Sequence, residues 1–391
     1  MRVAHLTTVH PRDDTRIFHK MCRSLAASGH SVTLYVADGG GNEQRDGVAI
    51  IDIGLAANRL IRASLLAARI WEIAQSHEYD VYHFHDPELI AGGLVARLLG
   101  RCVVYDIHEY YRLHFHRITG LPSVLSRVLA GMYGLVEYCA AAWLDACVVV
   151  SPHMLQGLRP RRAAVVANYV RSDEFQPGRT PFDQRPRLVC YVGVLSQDRC
   201  VGSMVDAVAN ATVTLALAGK WYPQSFRTLM STNPGWSSVE ELGIIHRDRM
   251  QSLLEQAQAG LLILDLHGEE EHSSSNKLFE YMAAGLPVIA SDIQFARDVI
   301  SRHDCGLLIS PPTNPGAIAA AITWLLEHPE EAERMGRAGR RAIENEYGWD
   351  QALNSLLGLY AALEPTTRRQ ERRSQELNHD EKQLRQRSNL S

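Results

Sequence analysis

The stretch Ser273-Ser-Ser-Asn-Lys-Leu-Phe-Glu-Tyr-Met-Ala-Ala-Gly-Leu-Pro-Val-Ile-Ala-Ser-Asp292 carries a complete turn–helix–strand unit. An apolar run ending near Leu264 leads into it, and its serine-rich turn opens a helix predicted over Ser275–Ala284. Gly285-Leu286-Pro287 stops that helix, because glycine accepts the left-handed backbone of a helix end and proline cannot continue it. Pro287–Ala290 then reads as a strand. A strand, a helix and a second strand joined this closely are the repeating piece of a parallel sheet.

The same alternation extends outward on both sides. In the second half, strands are predicted at Leu188–Val192, Val213–Ala218, Val239–Leu242, Gly260–Leu264 and Gly306–Ile309, and helices at Gly202–Asn210, Asp248–Gln256 and Pro315–Glu327. In the first half, strands are predicted at Val3–Thr7, Ser31–Ala37, Val48–Ile53, Val81–His85, Cys102–Ile107, Ala146–Val150 and Ala163–Ala167. Helical patterns lie between them at Thr15–Ala27, Asn58–Gln75 and Pro87–Leu99; in the first, Ile17, Met21 and Leu25 recur every four residues. The expected fold class is α/β, with mostly parallel sheets covered by helices on both faces. The polar stretch Arg171–Arg187, with Pro177, Gly178, Pro181 and Pro186, has the composition of an inter-domain linker. The expected layout is a first domain over 1–170, a linker over 171–187, a second domain over 188–345, a helix over 346–363 packing back on the first domain, and a charged tail over 364–391. Ligands are expected at the carboxyl ends of the strands and in the cleft between the domains.

Bulk properties exclude several classes. A chain of 391 residues suits two domains rather than one core. Apolar residues make up 46% and charged residues 21%, the balance of a globular enzyme. A formal net charge of -4 argues against a general nucleic-acid binder. The seven cysteines show no CxxC spacing, so neither a zinc site nor a disulfide framework is expected, which fits a reducing compartment. The N-terminus turns polar too early for a signal peptide. The richest apolar stretch, Leu121–Val150, is broken by Arg127, Glu137 and Asp145, short of the roughly 18 uninterrupted apolar residues of a span. A cytoplasmic location is expected, with attachment to a membrane surface left open. In the tail, Arg368, Arg369, Arg372, Arg373, Lys382, Arg385 and Arg387 face four acids and almost nothing apolar. That composition fits a disordered solubilising tail or weak attachment to anionic lipid.

The tract itself holds the candidate chemistry. Backbone N–H groups of Ser273, Ser274, Ser275 and Asn276 at a helix start, with the helix dipole behind them, make an anion site of the kind a diphosphate fills. Lys277 puts a full positive charge in the first turn, where a merely structural helix prefers an acid. Glu280 is an acceptor suited to a pair of sugar or ribose hydroxyls. On spacing alone, a serine-capped core helix with surface Lys277 and Glu280 fits equally well.

The segment resembles the donor-site signature of retaining family-4 glycosyltransferases, whose GT-B architecture is two Rossmann-like domains facing each other across a cleft. In that signature two acids flank seven residues, and the second sits in a helix followed by Met-Ala-x-Gly-x-Pro-Val-Ile-Ala-Ser. Glu280 matches the second acid, which in the family holds the nucleotide ribose. His272 stands at the first, beside Glu270 and Glu271. Val189-Cys-Tyr-Val-Gly-Val-Leu-Ser-Gln-Asp-Arg199 is similar to the family's strand, glycine turn at Gly193 and basic pair that grips the diphosphate. Arg199 matches the second basic residue and Val194 replaces the first, so the resemblance implies a clamp of Arg199 with Lys277.

In the first half, Asp80-Val-Tyr-His-Phe-His-Asp-Pro-Glu88 and Val104-Tyr-Asp-Ile-His-Glu109 each end a strand in a polar cluster. The resemblance implies that His108 lies near the transferred sugar, with Asp106, Glu109 and Arg16 on the acceptor side. His83 and His85 share a face at strand spacing, yet no third ligand with suitable spacing is evident, so no metal is expected. In His10-Pro-Arg-Asp-Asp-Thr-Arg-Ile-Phe18, Asp13 or Asp14 can cap the following helix while Arg16 faces the cleft, or the acids can touch acceptor or donor. Asn168 reads as a turn former. Arg112, His114, His116, Arg117 and Arg127 precede an apolar helix that, by the resemblance, faces acceptor and membrane. They suit an anionic or lipid-linked acceptor, or are a basic helix face with no partner.

The resemblance implies retaining transfer of a sugar from a nucleoside diphosphate sugar, UDP before GDP, to a saccharide or lipid-linked acceptor in bacterial surface polysaccharide or glycoconjugate synthesis. The nucleotide sugar is a co-substrate, and no cofactor is expected. Two other classes stay open: a nucleotide-sugar epimerase, and a catalytically silent binding subunit, which His272 and Val194 favour.

Overall fold

A computed structural model describes residues 1–55, 58, 61–109, 123–171, 173–265 and 275–364. Contacts divide the chain into two compact units. Met1–Val166 is joined by the chain from Leu353 onward, and Ala167–Ala352 forms the other.

The first unit is built on an eight-stranded sheet: β1 (Arg2–Leu6), β2 (Ser31–Val36), β3 (Glu43–Arg45), β4 (Val48–Asp52), β5 (Val81–Phe84), β6 (Val103–Ile107), β7 (Ala146–Val149) and β8 (Ala163–Val165). Its order is β3-β4-β2-β1-β5-β6-β7-β8, and every pair is parallel except β3 with β4. Strand β3, Glu-Gln-Arg, is the one the apolar pattern misses, because it is short, polar and at the edge. The central strands are buried along nearly their whole length, as a sheet covered on both faces requires. The polar exceptions include His5 and His83, register partners on β1 and β5, both fully buried, and Asp106 on β6. The first helical segment is a wide π-type turn over Thr15–Cys22, which Asp14 caps by accepting from the N–H groups of Arg16 and Ile17. Helices α1 (Ile90–Leu98) and α2 (Ser123–Trp143) pack against each other.

The second unit carries β9 (Leu188–Val192), β10 (Thr214–Ala218), β11 (Val239–Gly243), β12 (Ala259–Leu262), β13 (Val288–Ser291) and β14 (Gly306–Ile309). They form a six-stranded, wholly parallel sheet ordered β11-β10-β9-β12-β13-β14. One apolar core lies on each face. Helices α3 (Arg247–Gln256) and α4 (Asn276–Ala283) flank this sheet, and α5 (Trp349–Leu363) leads back into the first unit. The Pro-rich stretch 171–187, expected as a linker, is packed chain of the second unit: Phe175 and Phe182 are each buried, in opposite cores.

In both sheets the strand order reverses once, between β1 and β5 and between β9 and β12. A reversal splays the connections apart and opens a crevice at the carboxyl ends of the strands, where ligands bind in open α/β sheets. Each unit therefore has its own candidate region at such a strand end.

Candidate active site

At the β9 end, the chain turns at Gly193 with φ 145°, and the neighbouring β10 turns at Gly219 with φ 148°. Only glycine adopts such angles readily. A Cβ on Gly193 would run into Cε and Nζ of Lys277, so the missing side chain lets the ammonium lie against the turn. Lys277 is half-buried, and its Nζ sits 5.4 Å from the centroid of the Tyr191 ring. It has no acidic partner among the described residues. Burial first, then the nearby charge of Arg199, bring its ammonium down to about 8, against a smaller opposing pull from Glu280. Arg199 is one-third exposed, with Nε 4.0 Å from Asp198 Oδ2. Two cations near each other with little to neutralise them form an electrostatic deficit that an anion fills.

Ser275 precedes α4 in an extended conformation and makes no side-chain cap bond. Among the described residues, the N–H groups of Asn276 and Lys277 are thus left without acceptors, at the positive end of the helix dipole. One turn on, Glu280 is 9% exposed; Arg247 Nη1 donates to its Oε1 at 2.6 Å. Arg247 Nη2 in turn lies 2.7 Å from Glu174 Oε1. Although burial works against its charge, these two carboxylates raise the Arg247 pKa above the ordinary arginine value. Glu280 Oε2 has no partner among the described residues. His272, Ser273 and Ser274 lie outside those residues, as do Arg112, His114, His116 and Arg117.

At the β1 and β5 ends, the buried carboxylate of Asp86 collects the first loop. Its Oδ2 accepts from Thr7 Oγ1 at 2.8 Å, Thr8 N at 2.6 Å and Val9 N at 3.2 Å. Burial nevertheless raises its pKa above the usual carboxylate value. His10 rests on this loop. Its Nδ1 is 3.1 Å from Asp14 Oδ2, and its Nε2 is 3.1 Å from Nε2 of His108. Burial opposes its charge, but Asp14 and Asp86 outweigh burial and raise its pKa. Two ring nitrogens facing each other at that distance are joined by one hydrogen bond, one ring donating and the other accepting. Glu109 is exposed beside them.

Arg16 and Asp106, expected on the acceptor side, are instead buried against each other. Arg16 Nη2 and Nε donate to Asp106 Oδ1 and Oδ2 at 2.7 and 2.9 Å, and Nη1 donates to the Val166 carbonyl at 2.8 Å. A guanidinium this far from water is held by saturating its donors, which leaves neither group exposed to a substrate. Their place is beneath His108, whose Nδ1 lies 3.5 Å from Asp106 Oδ2.

Below them the sheet contains three stacked imidazoles. His85 Nδ1 is 2.9 Å from Asp106 Oδ2, and His85 Nε2 is 2.9 Å from His5 Nδ1. His83 Nδ1 is 2.8 Å from the hydroxyl of Tyr360 on α5. Burial lowers the pKa of all three, that of His85 to about 3. A third group of metal-ligating type does join His83 and His85: with Asp106, their ligand atoms lie within 4.8 Å of one another. The rings of His83 and His85 are stacked at 4.8 Å and 20°, however, and Arg16 already neutralises Asp106. Parallel rings aim their lone pairs side by side rather than at one point, so this arrangement suits a hydrogen-bonded stack better than a cation.

Sequence patterns found Gly193, Arg199, Ser275, Asn276, Lys277 and Glu280, which the second unit brings to one strand end. They missed Arg247, whose signal was the same one that exposed Lys277: a cation in the first turn of a helix. They also missed His5 and Tyr360, which reach the stack only through strand pairing and the return of α5.

The sequence profile of the family described as glycosyl transferases group 1 matches residues 172–342, and that of Glycosyltransferase Family 4 matches residues 15–173. A D-rhamnosyltransferase, WbpZ of Pseudomonas aeruginosa, is 29% identical over 152 residues, a match spanning 39% of each chain. A GDP-mannose-dependent alpha-mannosyltransferase of Mycobacterium tuberculosis is 24% identical over 88% of this chain and 91% of its own length. Among solved structures, the sucrose-phosphate synthase of Thermosynechococcus elongatus superposes with a TM-score of 0.76 at 17% identity, covering 93% of this chain and 98% of that one. HepE of Anabaena, solved in complex with UDP and glucose, gives 0.71 at 12% identity, covering 93% and 100%.

Proposed function

We propose, for a chain that belongs to the glycosyl transferases of group 1 and has the GT-B fold, a sugar transfer with retention from a nucleoside diphosphate sugar to a saccharide or lipid-linked acceptor. The donor is read as a UDP sugar, in keeping with the UDP complexes of HepE. The work is bacterial surface polysaccharide or glycoconjugate synthesis at the inner face of the cytoplasmic membrane, with no resident metal or cofactor.

The observation that carries this reading is the deficit at the β9 end. Among the described residues Lys277 has no ion-pair partner and Arg199 has only Asp198, at 4.0 Å, beside a helix start whose first N–H groups find no acceptor among those residues. As the donor bond breaks, negative charge grows on the leaving diphosphate, and fixed cations and amides aimed at it lower the barrier without reorganising. Ser273, Ser274, Ser275 and Asn276 supply amides, Gly193 gives the diphosphate room, and Glu280 Oε2 accepts from a ribose hydroxyl. His272 is assigned to the sugar. In the first unit, His108 meets the transferred sugar and Glu109 the acceptor, while Arg16 and Asp106 hold His108 from below. Among the described residues no side chain stands out as a covalent nucleophile, so the acceptor attacks on the face the leaving phosphate vacates, and that phosphate takes its proton.

A panel of UDP and GDP sugars tests the assignment by thermal shift, since a ligand at 100 times its dissociation constant adds about 2.7 kcal/mol of stability. Product analysis with Lys277→Ala and Arg199→Ala then tests the roles; near-normal turnover in both rejects them. A second reading, a silent binding subunit, draws on Val194, which leaves an exposed apolar residue in the place of a basic one. Donor binding without transfer or hydrolysis across a broad acceptor panel would select it.

A further inference from the structure

The second unit holds a pocket of about 500 Å³ that the β9 end does not use. Two of its lining residues, Arg185 and Gly285, come just before β9 and β13, so it lies at the amino ends of the strands, opposite the donor end. One side is the Pro-rich chain from Pro177 to Arg185, and the other is the helix Pro329–Ala342. These pieces are set hard against their neighbours: a Cβ on Gly336 would run into the carbonyl of Gly285, and one on Gly178 into that of Glu255. The pocket is thus built before any ligand arrives, and its size falls in the range of about 300–1,000 Å³ typical of small-molecule sites.

Its lining carries five guanidiniums, those of Arg179, Arg185, Arg337, Arg340 and Arg341, against the one carboxylate of Glu333. That carboxylate is already engaged. Its Oε1 accepts from the Phe182 N–H at 2.9 Å, and its Oε2 from Arg337 Nη1 at 3.1 Å. Arg340 is partly spent as well, with Nε 2.7 Å from Glu344 Oε1 and Nη1 donating to the Phe175 and Ala283 carbonyls at 2.7 and 2.8 Å. Arg185 is half-buried; it donates to the carbonyls of Thr180 and Ala257 at 3.0 and 3.1 Å and has no ion-pair partner among the described residues. Burial pulls its pKa below the ordinary arginine value, against a smaller opposing pull from Glu333. Arg179 and Arg341 are exposed and also make no ion pair among the described residues. A row of solvated arginines needs no ligand. A half-buried guanidinium sharing a preformed pocket with four others is a positive charge that the fold itself leaves uncompensated.

We infer that this pocket is a second anion site of the protein, and that its ligand is a phosphate monoester with a compact organic part. A carboxylate brings one charge and two oxygens, which a single arginine fork satisfies. A phosphate monoester carries about 1.5 to 2 negative charges at neutral pH and three terminal oxygens, enough for guanidiniums on both sides of the pocket. The remaining volume lies against Pro177 and Pro181, whose rings offer carbon and no donors, and the organic part packs there.

The inference stands on the far end of the sheet and does not need the donor reading, so the two fail separately. Calorimetric titration of the full chain with inorganic phosphate, glycerol 3-phosphate and a hexose 6-phosphate tests it, beside the free hexose. The two esters are expected to bind more tightly than inorganic phosphate, and the free hexose not at all. Because such anions also suit the β9 end, the titrations are repeated on Lys277→Ala and on the double variant Arg179→Ala, Arg341→Ala. Ester binding is expected to survive the first change and to weaken at least about tenfold in the second, which removes two charge-assisted donors. Both arginines are exposed, so the melting temperature of the double variant without ligand is expected to stay unchanged. Three results overturn the inference: no ester binding at millimolar concentration, esters that bind no better than inorganic phosphate, or binding that Lys277→Ala abolishes and the double variant leaves intact.

Discussion

Arg16–Asp106 in the first unit and Arg247–Glu280 in the second are the same chemical pair put to different ends. Both carboxylates are buried, Asp106 at 1% exposure and Glu280 at 9%, so burial does not separate them. Saturation does. Both oxygens of Asp106 are taken, one by Arg16 Nη2 and the other by Arg16 Nε and His85. Glu280 gives only Oε1 to Arg247. A carboxylate with both oxygens engaged holds the fold together, and one held from a single side can still hold a ligand. The first unit accordingly buries this pair beside its sheet, and the second keeps its own at the rim over an apolar core.

The largest effect should come from stranding a saturated charge. Arg16→Ala leaves Asp106 buried without its cation and is expected to cost about 3–5 kcal/mol in urea unfolding. Arg247→Ala, whose side chain is 39% exposed, is expected to cost no more than about 1 kcal/mol. Equal costs would break the contrast. Next, Lys277→Ala is expected to lower turnover about 10²–10³-fold. Its melting temperature should hold or rise, because the folded state already disfavours the lysine's charge.

A third effect concerns acid. His5, His83 and His85 have folded pKa values below 6.5, so below about that pH the unfolded chain binds protons that the folded chain refuses. Stability is therefore complete above 6.5 and falls as pH drops, for His85 down to about 3. Each group removes up to about 1.4 kcal/mol per pH unit. Urea midpoints at pH 7, 6 and 5 measure it, and a flat profile would contradict a neutral stack. His10 has the opposite sign: its raised pKa adds stability below 6.5 that fades as pH climbs through the folded value. The smallest effect is that of Tyr360→Phe, which removes the partner of His83 Nδ1 and should cost about 1 kcal/mol by the same unfolding assay.

The alternation of strands and helices was legible because a sheet covered on both faces writes itself as apolar runs; among the described strands Glu43–Arg45 escaped, and so did the helices Gln224–Met230, Gln294–His303 and Pro329–Ala342. The tract around Lys277 was legible because a lysine in the first turn of a helix is locally unfavourable and its cause is nearby. Arg247 carries the same signature, but its meaning depends on Glu280, thirty-three positions away. The pairing of Arg16 with Asp106 was not legible, because strand-end position says where a residue stands and not which partners it already has. No local pattern points from His83 to Tyr360, since their meeting is a property of the chain's return path.

That return path has a consequence for the order of events during synthesis. Tyr360 emerges from the ribosome only after the whole second unit has been made, while β1 and β5 are complete before residue 90. Until α5 arrives, Leu356 and Tyr360 are missing from a core that buries both fully, and His83 has no partner for either nitrogen. The first unit, though first in sequence, is thus the last to be finished. A chain cut before α5 lacks two side chains that the folded first unit buries fully and leaves His83 Nδ1 without its hydroxyl partner.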